Sequence, residues 1–207
     1  MKFKLSDFDL DRVLADDDLP LLEIDNMATI IKAGKVLRTE PKLAAIIAPA
    51  GYGVSTALNH ITTAIKRDVL NFELKPSVTL KAVLIDWLNT CGYGDSKFHF
   101  NNSNDTDLVR ALAYHLNSSA GAVKSLIIVD GLGHWKRRSI LLFDELIQKV
   151  VKKTGCIISI NPKSLAILEK LALKDEMIQI FLDHVDEPIY LERPSIGEMN
   201  SICFEAG

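Results

Sequence analysis

The sequence predicts one α/β domain in three layers, a mostly parallel sheet covered by helices on both faces. Three observations carry this. Short, near-continuous apolar runs (Leu43–Ala48, Leu126–Val129, Cys156–Ile160) alternate with longer stretches of helical periodicity. The 207 residues, 48% hydrophobic and 25% charged, suit one globular core. A glycine loop, Gly51-Tyr52-Gly53, separates the first apolar run from the helix that follows it.

Element by element, an acidic segment over 1–24 precedes a domain expected to span 25–191. A helix over about Leu22–Leu37 stops at Thr39-Glu40-Pro41, since Pro41 cannot continue it and disfavours helical geometry at Glu40. Leu43–Ala48 is the first strand and Ser55–Ile65 the helix after the glycine loop. Asp68–Leu74 reads as a second strand and Val78–Thr90 as a helix closed by Gly92-Tyr93-Gly94, with Leu84, Trp87 and Leu88 on its core face. The polar tract 95–104 is a loop, and Asp105 or Thr106 caps a helix to about His115. Ser125–Asp130 is a buried strand ending in an acid, Ser139–Lys152 an amphipathic helix, and Cys156–Ile160 another buried strand. A helix over Lys163–Leu173 and a strand over Glu187–Leu191 complete the pattern, leaving 192–207 for the start or remnant of a lid helix.

Several function classes are excluded at this level. No apolar stretch is long enough to cross a bilayer, and the N-terminus lacks the apolar core of a secretory signal. Three scattered cysteines (Cys91, Cys156, Cys203) fit a reduced, cytoplasmic setting, and no His/Cys cluster has zinc-ligand spacing. The net charge of −3 conceals a segregation. Residues 1–29 carry eight acids against three bases and 164–207 nine against three, whereas 121–163 carry eight bases against three acids. Such a surface steers polyanions or pairs acidic with basic faces of neighbouring subunits.

The chemistry concentrates at two places. Ala48-Pro49-Ala50-Gly51-Tyr52-Gly53-Val54-Ser55-Thr56 has the strand–loop–helix setting of a phosphate-binding Walker A loop, but Val54 stands where the lysine belongs. Gly51 and Gly53 allow close backbone approach, and amides at the helix start attract anions. The second place is Leu126–Asp130. In phosphate-loop proteins a buried strand ends in an aspartate beside Mg²⁺, commonly followed by a glutamate that activates water. Asp130 fits the first role, and Ser55 with Asp130 would hold Mg²⁺ only where nucleotide binds; Gly131 holds the glutamate position with no side chain.

The order and spacing of these motifs resembles the AAA+ ATPases of DNA transposition, the group containing the phage Mu target-selection protein B. The resemblance runs from about Asp25 to Gly207. It rests on Pro49–Leu58, on Ser77-Val78-Thr79-Leu80-Lys81 opening a helix, on Leu126–Asp130 with His134 beyond it, and on Gly155–Asn161. It implies an AAA+ P-loop fold and a polar sensor at the end of the last of these strands, matched by Asn161 with Ser159 as the alternative. It also implies mobile-element or phage DNA as a partner, together with a recombinase, a transposase or an active AAA+ homologue.

The departures shape the expected function. Lysine and glutamate are replaced by Val54 and Gly131, no arginine stands in Phe181–Val185, and 16 residues after Leu191 leave the lid absent or reduced to one helix. One lost electrostatic contact costs about 3 kcal/mol of barrier, so losing several makes hydrolysis the least expected activity. The vestigial nucleotide set is Gly51, Gly53, Val54, Ser55, Thr56, Asp130 and Asn161. Neither ATP nor Mg²⁺ is expected to be required, and a substitute cation would have to come from Lys42, Lys66 or Lys163. Trp135-Lys136-Arg137-Arg138, just past the Asp130 turn, is the candidate DNA or partner contact. A monomer or weak, salt-sensitive oligomer is expected.

Overall fold

In a computed structural model the described residues are 25–65, 69–75, 77–93, 103–118, 126–150 and 152–193. The acidic segment 1–24, Lys66 and residues 194–207 of the expected lid remnant lie outside them. In chain order the elements are α1 (Asp25–Thr39), β1 (Leu43–Ile47), α2 (Val54–Ile65), β2 (Val69–Glu73), α3 (Leu80–Leu88), α4 (Asp105–Ser118), β3 (Leu126–Asp130), α5 (Arg137–Val150), β4 (Gly155–Ile160), α6 (Pro162–Ala172), α7 (Glu176–Asp183) and β5 (Glu187–Tyr190). A wide turn, Asn89–Tyr93, follows α3, and a short 3₁₀ turn, Leu132–His134, follows β3.

The strands form one sheet in the order β2-β3-β4-β1-β5, with every pairing parallel. The apolar runs are continuous because both faces are covered, so no strand needs a polar side. Leu43, Ala45 and Ile47 of β1 share one core with Ile127, Val129, Cys156 and Ile158 and with helices α3 to α7. Ala44 and Ile46 face the opposite way, into a second core with Ile128, Ile157 and helices α1 and α2. Trp87, Leu84 and Leu88 are buried in the first core, as their helical spacing requires.

Differences from the sequence reading have local causes. Asn104, not Asp105 or Thr106, caps α4: its Oδ1 accepts the Asp107 amide at 2.9 Å while its Nδ2 donates to the Asp107 carboxylate. Helix α7 lies in a stretch to which periodicity assigned no element. Past the end of α5 the Lys153 ammonium donates to the Asn117 carbonyl at 2.7 Å and fastens α4 there, a tie between distant residues that no local pattern announces. Where α1 closes on β4 there is no room for any side chain: a Cβ on Gly155 would lie 2.3 Å from the Leu37 carbonyl oxygen.

Candidate functional site

Strand β1 delivers the chain to the glycine loop and is tied at its end to β4, the Ala48 amide donating to the Ile160 carbonyl at 3.3 Å. The loop then needs two left-handed residues, Gly51 (φ 86°) and Gly53 (φ 75°), and the Gly53 carbonyl accepts from the Ala57 amide at 2.9 Å, starting α2 at once. A cavity of about 340 Å³ opens here, lined by residues 48–56 with Asp130, Gly131 and Ser159–Asn161. All seven residues of the expected nucleotide set therefore share one cavity. The sheet order explains this: β4 lies between β1 and β3, so its end bridges the loop and the acid.

Parallel pairing of Val129 with Ile158 brings Asp130 beside Ser159. The Ser159 hydroxyl donates to Asp130 Oδ1 and itself accepts the Gly131 amide at 2.8 Å. It is thus the strand-end polar group that holds the acid. Asn161, the residue matched to the sensor position, spends its Oδ1 on capping α6, accepting the Ser164 amide at 2.8 Å ahead of Pro162.

The electrostatics of the wall are one-sided. Asp130 is the single charged side chain among the described residues lining the cavity. Val54 packs against the α1–α2 core from the position where a cation would offset phosphate charge. Of the candidate substitutes, Lys42 immediately precedes β1, at the opposite end of that strand from the loop, Lys66 lies outside the described residues, and Lys163 is exposed on α6 without lining the cavity. Gly131 is also more than a missing glutamate. It adopts φ 88°, ψ 37°, and a Cβ there would come within 3.3 Å of the Leu74 carbonyl and the His134 ring. Loop amides, Ser55 and Asp130 suit a magnesium-bound phosphate; the wall as a whole does not fit the charge of a nucleoside triphosphate.

The basic tetrad is divided by the fold. Trp135 is 6% exposed and stacks edge-on against Phe143 with ring centroids 5.2 Å apart, so it is a core residue and not a DNA or partner contact. The signal was present: Trp135 and Ile140 occupy the two positions of a hydrophobic staple around the first turn of α5. Arg137 is exposed but engaged, its guanidinium forked onto Asp175, which holds that carboxyl below its usual range. Lys136 and Arg138 remain as exposed cations, the latter with its nearest carboxylate, Asp105, at 4.0 Å. Burial pushes the Cys156 thiol well above its ordinary range, so it is an inert core residue.

No protein-family model matches the chain, and neither does any curated protein. Among solved structures it is similar to the ORC1 protein of Aeropyrum pernix in complex with DNA, with TM-score 0.64 and 12% identity over 94% of this chain and 52% of that one. It is also similar to a Walker-type ATPase of Pyrococcus abyssi, with TM-score 0.55 and 8% identity over 86% of this chain and 55% of that one. Drosophila ORC bound to AT-rich DNA and Cdc6 gives TM-score 0.50 and 13% identity over 86% of this chain and 64% of that one. The chain spans about half the length of the first two. These likenesses show the fold alone, an AAA+-like P-loop α/β fold with a five-stranded parallel sheet. Among the described residues no helix is long and apolar enough to cross a membrane.

Proposed function

We propose that this chain is a catalytically degenerate AAA+-type factor of a mobile element or phage. It acts in DNA transposition or recombination by binding DNA or a recombinase-like partner, not by turning over ATP, as a monomer or weak oligomer. The observation that carries this reading is the loop cavity itself, which has phosphate-loop backbone geometry, Val54 in the cation position and Asp130 as the one charged lining group among the described residues. A wall of that charge disfavours a polyanion that a lysine would otherwise offset. The test is phosphate release measured with Mg²⁺ and ATP, with and without DNA. Turnover is expected to equal a blank without protein. Release abolished by Ser55→Ala or Asp130→Ala would overturn the reading and make the chain an active ATPase.

The DNA side of the reading draws on the ORC1 likeness and on the exposed cations at the start of α5. With Trp135 buried, no aromatic of the tetrad stacks on a base, so recognition is by phosphate contact and sequence-tolerant. Replacing Lys136 and Arg138 together by alanine is expected to weaken binding uniformly across sequences. The log–log salt slope should fall by about 1 to 2. Anisotropy titrations at several salt concentrations measure both, and an unchanged slope would remove these side chains from the interface.

A further inference from the structure

Helix α6 turns a mixed face to solvent. Lys163 and Lys170, seven residues apart, fall almost in line about 10 Å along its axis, and exposed Lys174 continues the row in the turn that follows. Ile167 and Leu171, four apart, form the neighbouring row and are 59% and 46% exposed. The core side of α6 is already supplied by buried Leu168 and Ala172, so these outer aliphatics do nothing for the core. The lysines also lack counter-charge. No acid stands three or four residues from any of them, and none forms an ion pair among the described residues. Of the neighbouring acids, Glu169 lines a separate pocket with Phe181 and Val185, and Asp175 is held by Arg137.

Beside the aliphatic row a pocket of about 90 Å³ opens between α6 and the 3₁₀ turn after β3. Exposed Ile167 and Leu171 line it together with buried Trp135, Ile140 and Ile178. At that size it is far below the roughly 300 Å³ of a small-molecule site, and it has room for little more than one apolar side chain. Trp135 also keeps a buried Nε1–H with no hydrogen-bond partner among the described residues, where a buried indole usually has one.

Unpaired cations beside an apolar row discriminate between classes of anion. A nucleic-acid backbone would satisfy the lysines but offers nothing apolar to Ile167, Leu171 or the pocket. A helix with apolar residues four apart and acids on its flank satisfies both: one apolar side chain enters the pocket, the next meets the aliphatic row, and the acids meet Lys163, Lys170 and Lys174. We infer that α6 is the docking face for an acidic amphipathic helix of a partner protein. This rests on the partner-binding reading above and gives that partner its chemistry. It involves neither the loop cavity nor the phosphate contacts of Lys136 and Arg138.

The probe is a labelled helical peptide with leucines four apart and glutamates beside them, titrated with the full chain by anisotropy next to a scrambled peptide and a DNA duplex. Lys163→Glu, Lys170→Glu and Lys174→Glu together are expected to weaken peptide binding about tenfold to a hundredfold at low salt, and Ile167→Ser with Leu171→Ser about tenfold. The serine pair should leave duplex binding unchanged. All five side chains are exposed, and melting curves that overlay the parent's separate lost docking from lost folding. Equal affinity for the scrambled peptide, or a serine pair that binds the peptide as the parent does, would overturn the inference. So would a glutamate triple that loses the duplex but keeps the peptide, which would make α6 a nucleic-acid face. Self-association of the parent that the serine pair abolishes would overturn it in favour of a second copy. Phosphate release from ATP bears only on the loop cavity, so either reading can fail alone.

Discussion

Lysine in place of Val54 is expected to raise affinity for magnesium-bound ATP by about tenfold to a hundredfold, the worth of one charged hydrogen bond in a partly enclosed site. The cavity walls already present loop amides, Ser55 and Asp130, so a single ammonium supplies what the charge balance lacks. The substitution gives up the half-buried contact of Val54 with the α1–α2 core, at a cost of about 1 kcal/mol. Adding Gly131→Glu is expected to work against the gain. That residue is left-handed at φ 88° and donates its amide to Ser159, so any side chain there costs about 1–2 kcal/mol and strains the bond that holds Asp130. The double variant should bind nucleotide no better than Val54→Lys alone and should not hydrolyse it. Calorimetric titration with an unhydrolysable analogue, beside a melting curve, measures both. A double variant that binds better than the single one would show that Gly131 relaxes freely.

The largest effect on stability is expected at Gly155→Ala. Its new methyl would lie 2.3 Å from the Leu37 carbonyl oxygen and 2.9 Å from the Leu37 carbonyl carbon, both backbone atoms that cannot rotate away. Either α1 lifts from β4 or the centre of the sheet shifts, and cores resist both. A loss of about 2–4 kcal/mol should result, lowering the melting temperature by roughly 5–15 °C. Urea unfolding of parent and variant measures it. A change below about 0.5 kcal/mol would mean that α1 rests on the sheet more loosely than this geometry describes.

The architecture was legible because a sheet covered on both faces leaves its strands no polar side. Runs such as Leu43–Ile47 and Gly155–Ile160, buried throughout, announce themselves without alternation. The loop was legible because left-handed turns demand glycine at Gly51 and Gly53. Helix α7 was not, because eight residues offer barely two turns of periodicity. The bond from Ser159 to Asp130 was hidden for another reason. It depends on which strands are neighbours and in what register, and residues 29 apart carry no local trace of that. Trp135 misled because a basic run invites an exposed reading, while its burial follows from the 3₁₀ turn that folds it onto Phe143.

Strand β1 acquires both its partners late. Leu43 pairs with Cys156 and Ala44 with Glu187, so its neighbours on either side come from the last third of the chain. On the ribosome, at about 5–20 residues per second, roughly 5–20 s pass between synthesis of β1 and emergence of β4. During that interval a wholly apolar strand has both edges open, and closing it across more than a hundred residues is slow on entropic grounds. Nascent chains of this protein therefore expose a wholly apolar strand well before its partners exist, and holding that strand apart until β4 and β5 have emerged is the natural task for a chaperone.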